Sequence, residues 1–178
     1  MSEKGTLYFF TGLAGAGKTT IGGLFYEKLL MRSPDAVLLD GDRMRLATGD
    51  SNESGEVIFE DRYTTEARKA GARGMFSHCK ELTDQGEDVV CCSIAMYQEI
   101  RDWNRANIEN YREIYVKVTR ETLYKRDQKG LYSSGTKNVV GVDLPYDEPV
   151  SPDIVVENDG QEAPEEIVKR LTEFFGLS

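Results

Sequence analysis

The chain has 178 residues, of which 39% are hydrophobic and 30% charged, and a formal net charge of −9. That length suits one domain with a sizeable core, and the acidic balance argues against a nucleic-acid or anionic-membrane partner, because phosphate surfaces are bound by clustered positive charge. No basic segment leads into an apolar run at the N-terminus, and no apolar stretch nears the ~18–20 residues that a spanning helix needs, so the expected location is cytoplasmic.

In chain order, Leu7-Tyr8-Phe9-Phe10 is a short apolar run suited to a buried strand. A glycine-rich loop follows, and then Ile21, Leu24, Phe25, Lys28 and Leu29 recur at helical spacing. Ala36 to Asp40 reads as a second strand, and Thr48 to Gly55 as irregular. A long helix is predicted from Glu60 to about Gln85, closing at Gly86. Asp88 to Cys92 reads as a strand, Gln98 to about Asn110 as a helix, and Ile114 to Val118 as a strand. A further helix begins near Arg120, and Gly130 to Pro152 is irregular and long enough for a lid or binding loop. Ile154 to Val156 is the last strand, and a helix runs from Pro164 to Phe175. Alternating strands and helices predict a three-layer α/β fold with a mostly parallel sheet. The expected organisation is one domain over 1–178, with a lid and acceptor loop at about 128–150.

The loop between the first strand and helix reads Gly12-Leu13-Ala14-Gly15-Ala16-Gly17-Lys18-Thr19, the G-x-x-x-x-G-K-[ST] phosphate loop in its required context. Its backbone N–H groups can wrap phosphate oxygens, and the following helix N-terminus adds positive potential. Lys18 is expected on the β- and γ-phosphates of ATP, and the Thr19 hydroxyl on Mg²⁺. Asp42 follows the second strand, where ligands of open α/β sheets bind, and it can orient or deprotonate an attacking hydroxyl. Arg45, one turn on, can pair with an anionic substrate. Arg62, beside Asp61, can clamp a second anionic group, and Arg68 lies two turns beyond Asp61. Arg126 and Lys129 can close over transferring phosphates, although a basic helix C-terminus satisfying the macrodipole explains them equally well. Three cysteines without a C-x-x-C pair, and the lone His78, suggest neither a disulfide framework nor a zinc site. Buried, reduced thiols are expected.

Together these elements resemble the adenylyl-sulfate kinase family. The carriers are Gly12 to Thr19 with Thr20, Gly41-Asp42 with Arg45, Asp61-Arg62, and Arg126-Asp127 with Lys129-Gly130-Leu131-Tyr132. The stretch Lys137, Asn138, Gly141, Asp143, Pro145, Tyr146 and Pro149 completes them. The resemblance implies transfer of the γ-phosphoryl of ATP to the ribose 3′-hydroxyl of an anionic, nucleotide-like acceptor, adenylyl sulfate in the family. It implies Lys18, Asp42 and Lys129 as catalytic residues, and residues 12–20 with Arg126 on ATP. It implies Asp42, Arg45, Arg62, Ile94, Arg101, Lys129, Leu131, Asn138 and Val139 on the acceptor, and Thr19 on Mg²⁺. The family is often dimeric, which makes a homodimer one expected assembly.

The departures fall on the acceptor side. Val57 and Val139 stand where the family usually has phenylalanines that sandwich a purine, and Thr65 replaces an asparagine. The Ile-Ser-Pro-Tyr-Arg segment reads Ile94, Ala95, Met96, Tyr97, Gln98, and the lid between Tyr132 and Lys137 is shorter than usual. The chain also resembles a divergent branch tied to surface-polysaccharide clusters, one type of which acts on cytidine diphosphoramidate. A pyrimidine needs less stacking area, so the alternative acceptor is of the cytidine 5′-diphosphate type. A nucleotide-binding module without catalysis is the alternative of another class.

Overall fold

Alternation along β1 (Thr6–Thr11) decides the layering. Leu7 and Phe9 enter one buried cluster, while Tyr8 and Phe10 enter another on the opposite face. A strand sends successive side chains to opposite faces, so a run apolar at every position must be covered on both sides. In the computed structural model, which describes residues 3–41, 64–127, 140–141 and 144–178, helices supply that cover.

The remaining elements are α1 (Lys18–Leu30), β2 (Val37–Asp40), α2 (Thr65–Asp84), β3 (Val89–Cys92) and α3 (Gln98–Asn107). They continue with β4 (Asn110–Lys117), α4 (Arg120–Arg126), β5 (Ile154–Glu157) and α5 (Pro164–Phe174). The strands lie in the order β2-β3-β1-β4-β5, and all the described pairings are parallel. Leu7 is in register with Val89 on one side and Tyr111 on the other, so β1 is central. Helix α1 covers one face, where the Phe25 ring lies 5.0 Å from Tyr8 and 5.4 Å from Phe10. Helix α2 covers the other, where Phe76 meets Phe9 edge-on at 4.8 Å.

The helix ends follow local chemistry. Thr64 caps α2 by accepting from the Ala67 N–H at 3.3 Å, and Thr119 caps α4 from Thr122 at 3.2 Å. Pro164 opens α5, where its missing N–H costs nothing. One predicted boundary is wrong. Asn110 does not end a helix; it opens β4, pairs with Thr6, and donates from its side chain to the Lys4 carbonyl at 3.1 Å. The polar run Asn110-Tyr111-Arg112-Glu113 hid this strand start, because the third strand position from Tyr111 inward is a buried glutamate, Glu113, only 2% exposed. Cys79, Cys91 and Cys92 are free and buried, as expected. Burial pushes the Cys92 thiol up to about 12, which keeps it protonated at neutral pH. His78 sits on the exposed surface near Glu81.

Helix α1 lies so close to the sheet that a Cβ on Gly22 would come within 2.2 Å of Cys92 Sγ. Gly22→Ala should therefore lower stability by about 1–3 kcal/mol in urea unfolding, despite alanine's better helix propensity. In a Cys92→Ala background the same change should cost nothing or stabilise. Equal losses in both backgrounds would exclude the sulfur as the cause.

Candidate active site

The phosphate loop spans the step from the end of β1 to the start of α1. Gly17 occupies the position before the helix with φ 101°, a conformation that side chains disfavour. A Cβ there would also approach the Asn158 amide nitrogen to 2.4 Å. The loop closes on itself through Ala16 N–H to the Leu13 carbonyl at 3.1 Å. Lys18 Nζ donates to that same carbonyl at 2.9 Å, which keeps the ammonium over the loop it closes.

Thr19 and Asp40 meet beside the loop. Thr19 Oγ1 donates to Asp40 Oδ2 at 2.9 Å, joining the first turn of α1 to the last residue of β2. Asp40 is 9% exposed. Asp40, and not Asp42, is the last residue of β2. Its signal in the sequence is position: a carboxylate ending a strand in the same sheet as the loop strand points toward the ligand edge. A hydroxyl and a carboxylate are hard oxygen donors of the kind Mg²⁺ takes, completing its shell with water and substrate phosphate. Among the described residues no group of three His, Cys, Asp or Glu could hold a metal by itself.

The loop's outward carbonyls are held from the C-terminal part of the chain. Arg126, at the end of α4, donates to the carbonyls of Gly15 at 3.2 Å and Ala16 at 3.5 Å. It also donates to the Asn158 carbonyl at 2.5 Å, while Asn158 Nδ2 donates to Ala16 at 2.8 Å. The next residue, Asp159, accepts from the Thr119 N–H at 2.9 Å, so one short loop pins both ends of α4. Hydrogen bonds from Thr122 and Thr119 hold the Asp159 carboxyl below the usual range. Arg126 thus braces the loop that the phosphates would enter. Asn158 went unnoticed in the sequence because its partner lies 142 residues away.

Of the residues expected on the acceptor, Ile94 and Arg101 are described. Ile94 follows β3, and its carbonyl accepts from Thr11 Oγ1 at 2.5 Å, which ties this loop to the end of β1. Arg101 is 1% exposed. It donates to Gln98 Oε1 at 2.7 Å and to the carbonyls of Asp147 at 2.8 Å and Glu148 at 3.1 Å. Its Nε stands 3.9 Å from Glu113, and burial lowers its affinity for the proton. Gln98, in place of the family arginine, turns to Arg101 and to Asp102 at 2.8 Å. Asp42, Arg45, Arg62, Lys129, Leu131, Asn138 and Val139 lie outside the described residues, as do Val57 and both stretches 48–55 and 128–139. Among the described residues no helix is long and apolar enough to cross a membrane.

Comparison with known proteins identifies the family. The profile of the adenylylsulphate kinase family matches residues 4–157. The cytidine diphosphoramidate kinase of Campylobacter jejuni is 37% identical, over 96% of this chain and 99% of that one. An adenylyl-sulfate kinase of Picosynechococcus is 36% identical, over 97% of each. The Mycobacterium tuberculosis APS kinase CysC, solved with AMPPNP and APS, superposes with a TM-score of 0.79 over 97% of this chain and 98% of that one, at 23% identity, which establishes the shared fold. The chain belongs to the adenylylsulphate kinase family and is a phosphotransferase.

Asn158→Ala removes a buried donor from the Ala16 carbonyl. It should destabilise the protein by about 1–3 kcal/mol and shrink the rise in melting temperature that Mg-ATP gives the wild type. Unchanged melting with and without nucleotide would show that Asn158 does not brace the loop.

Proposed function

We propose that this kinase transfers the γ-phosphoryl of ATP to the ribose 3′-hydroxyl of a cytidine 5′-diphosphate-type acceptor. The observation that carries the choice of acceptor is Gln98. It stands where an arginine follows the tyrosine in the family, and its amide is spent on Arg101 and Asp102. The acceptor therefore meets one cation fewer on this loop. Val57 and Val139, in place of two phenylalanines, act in the same direction. Aromatic stacking contributes ~1–3 kcal/mol per base, so their loss weakens purine binding more than pyrimidine binding. The likeness to a cytidine diphosphoramidate kinase supports this reading. Adenylyl sulfate is the second reading, supported by a near-equal likeness to an adenylyl-sulfate kinase.

In this reading the backbone of residues 12–20 wraps the ATP phosphates. Lys18 leaves the Leu13 carbonyl for the β- and γ-phosphate oxygens, exchanging a neutral acceptor for an anionic one. Thr19 and Asp40 would hold Mg²⁺, directly or through water, and the bound ion would neutralise charge on the β- and γ-oxygens. Asp42 orients the acceptor hydroxyl and takes its proton. The hydroxyl oxygen bonds to the γ-phosphorus as the bond to the β,γ-bridging oxygen breaks, and ADP leaves. Arg45 and Arg62 pair with the acceptor's anionic groups, and Lys129 faces the transferring phosphoryl. Ile94, Leu131, Asn138 and Val139 line the acceptor. The single domain with its lid at about 128–150 works in the cytoplasm, where its ATP is.

An acceptor-stimulated ADP-release assay with Mg-ATP tests the reading. A cytidine 5′-diphosphate series should stimulate release, and adenylyl sulfate should do so at least about tenfold less, the effect of one lost stacking contact. The reverse order would assign the chain to adenylyl sulfate, and no stimulation by either would favour a non-catalytic nucleotide module. Lys18→Ala and Asp42→Ala should each cut transfer by about a hundredfold or more while leaving thermal unfolding within a few degrees of wild type. Near-normal turnover in the Asp42 variant would remove it as the base.

A further inference from the structure

The stretch Pro145-Tyr146-Asp147-Glu148-Pro149, at the end of the long loop, is fastened to the rest of the protein by five hydrogen bonds. The Asp147 N–H donates to the Met96 carbonyl at 2.7 Å. Asp147 Oδ2 accepts from the Gln98 N–H at 3.0 Å. Arg101 holds the carbonyls of Asp147 and Glu148 at 2.8 and 3.1 Å. The Tyr115 hydroxyl donates to Glu148 Oε1 at 2.9 Å.

One of these bonds, to Met96, acts on the loop between β3 and α3, and a second, from the Gln98 N–H, fixes the first residue of α3 where that loop ends. Helix α3 has Tyr97 at its cap position and no side-chain cap of its own. Asp147 fills that role from 49 residues away, and a carboxylate at a helix N-terminus also meets the favourable end of the helix dipole. The loop it fixes begins at Ser93, whose N–H donates to Phe10 at 3.1 Å, and passes Ile94 beside the end of β1. Within it Ala95, a non-glycine residue, sits at φ 33°, in a region that side chains disfavour. Such backbone persists only where its surroundings over-determine it. From the α2 side, Lys69 lies 5.4 Å from the centre of the Tyr97 ring and pairs with Glu99 at 2.5 Å. The loop is therefore gripped from both sides, and the Asp147 arm supplies the grip at the helix start.

We propose that the Pro145–Pro149 arm is a strut that sets the acceptor loop between β3 and α3, with Asp147 and Arg101 as its positioning residues. This rests on the reading that the loop carrying Ile94 faces the acceptor. Asp147 is exposed, so its replacement tests the strut without emptying the core, whereas loss of the buried Arg101 can unfold the chain. The cap needs an accepting oxygen and not a charge, so Asp147→Asn can serve and Asp147→Ala cannot.

Wild type, D147A and D147N are compared by amide hydrogen exchange and by steady-state kinetics, with ATP and with the acceptor that the panel above selects. In D147A, exchange at Gln98 to Arg101 should quicken by about tenfold while α1 amides stay unchanged, matching loss of one cap. The acceptor KM should rise by about tenfold, with the ATP KM within about twofold of wild type. D147N should restore both. Wild-type exchange in D147A overturns the strut. A rise in the ATP KM with an unchanged acceptor KM overturns its assignment to the acceptor loop. If neither nucleotide series stimulates the enzyme, the functional reading above has failed, and the exchange result alone decides whether the arm sets this loop.

Discussion

A loop that turns its N–H groups inward to receive phosphate must turn carbonyls outward, and those carbonyls need donors. In this protein Arg126 and Asn158 provide them at Gly15 and Ala16. The rest of the arrangement depends on that. Helix α4 must end where its arginine reaches the loop, β5 must deliver Asn158 beneath Ala16, and Asp159 must hold the start of α4. The glycine at position 17 is confined by the same bracing, since the amide of Asn158 leaves no space for a side chain. Parallel pairing of β1 with both β3 and β4 brings these parts to one edge, because every strand then ends on the same side.

A second constraint lies behind β4. Glu113 is buried, and desolvation raises its carboxyl pKa; the Tyr111 hydroxyl at 2.8 Å and Arg105 at 3.3 Å act against that shift. Arg101 completes the group. Two buried charges gain little net stability over an apolar pair, but removing one strands the other at a cost of several kcal/mol. The group therefore acts less as a source of stability than as a fixed frame. The Glu113 carboxyl faces Arg101 Nε at 3.9 Å, while Arg101 Nη2 reaches the carbonyls of Asp147 and Glu148.

The parts visible in the sequence are those set by neighbours along the chain. The phosphate loop, the apolar runs of β1 and β3, the caps at Thr64 and Thr119 and the proline opening α5 all follow from short-range pattern. What escaped depends on distant partners. Asn110 looked like a helix end because the buried Glu113 broke the apolar rhythm of β4. In the sequence Asp40 is the end of an apolar strand, and only the fold brings Thr19 within 2.9 Å of it. Asn158 carries no local mark of its bond to Ala16. Arg101 is expected on the acceptor through the family resemblance; its hydrogen bonds to the carbonyls of Asp147 and Glu148 join stretches far apart in the chain, and no local pattern announces them.

The bracing by Arg126 and Asn158 also orders events during synthesis. Chains are made from the N-terminus, and the glycines, Lys18 and Thr19 leave the ribosome long before the two residues that steady their carbonyls. A nascent chain ending at Lys117 already contains β1 to β4 but lacks Arg126 and Asn158, the donors to the Gly15 and Ala16 carbonyls. The site that looks most like a local motif is thus completed only when the final third of the chain has been made.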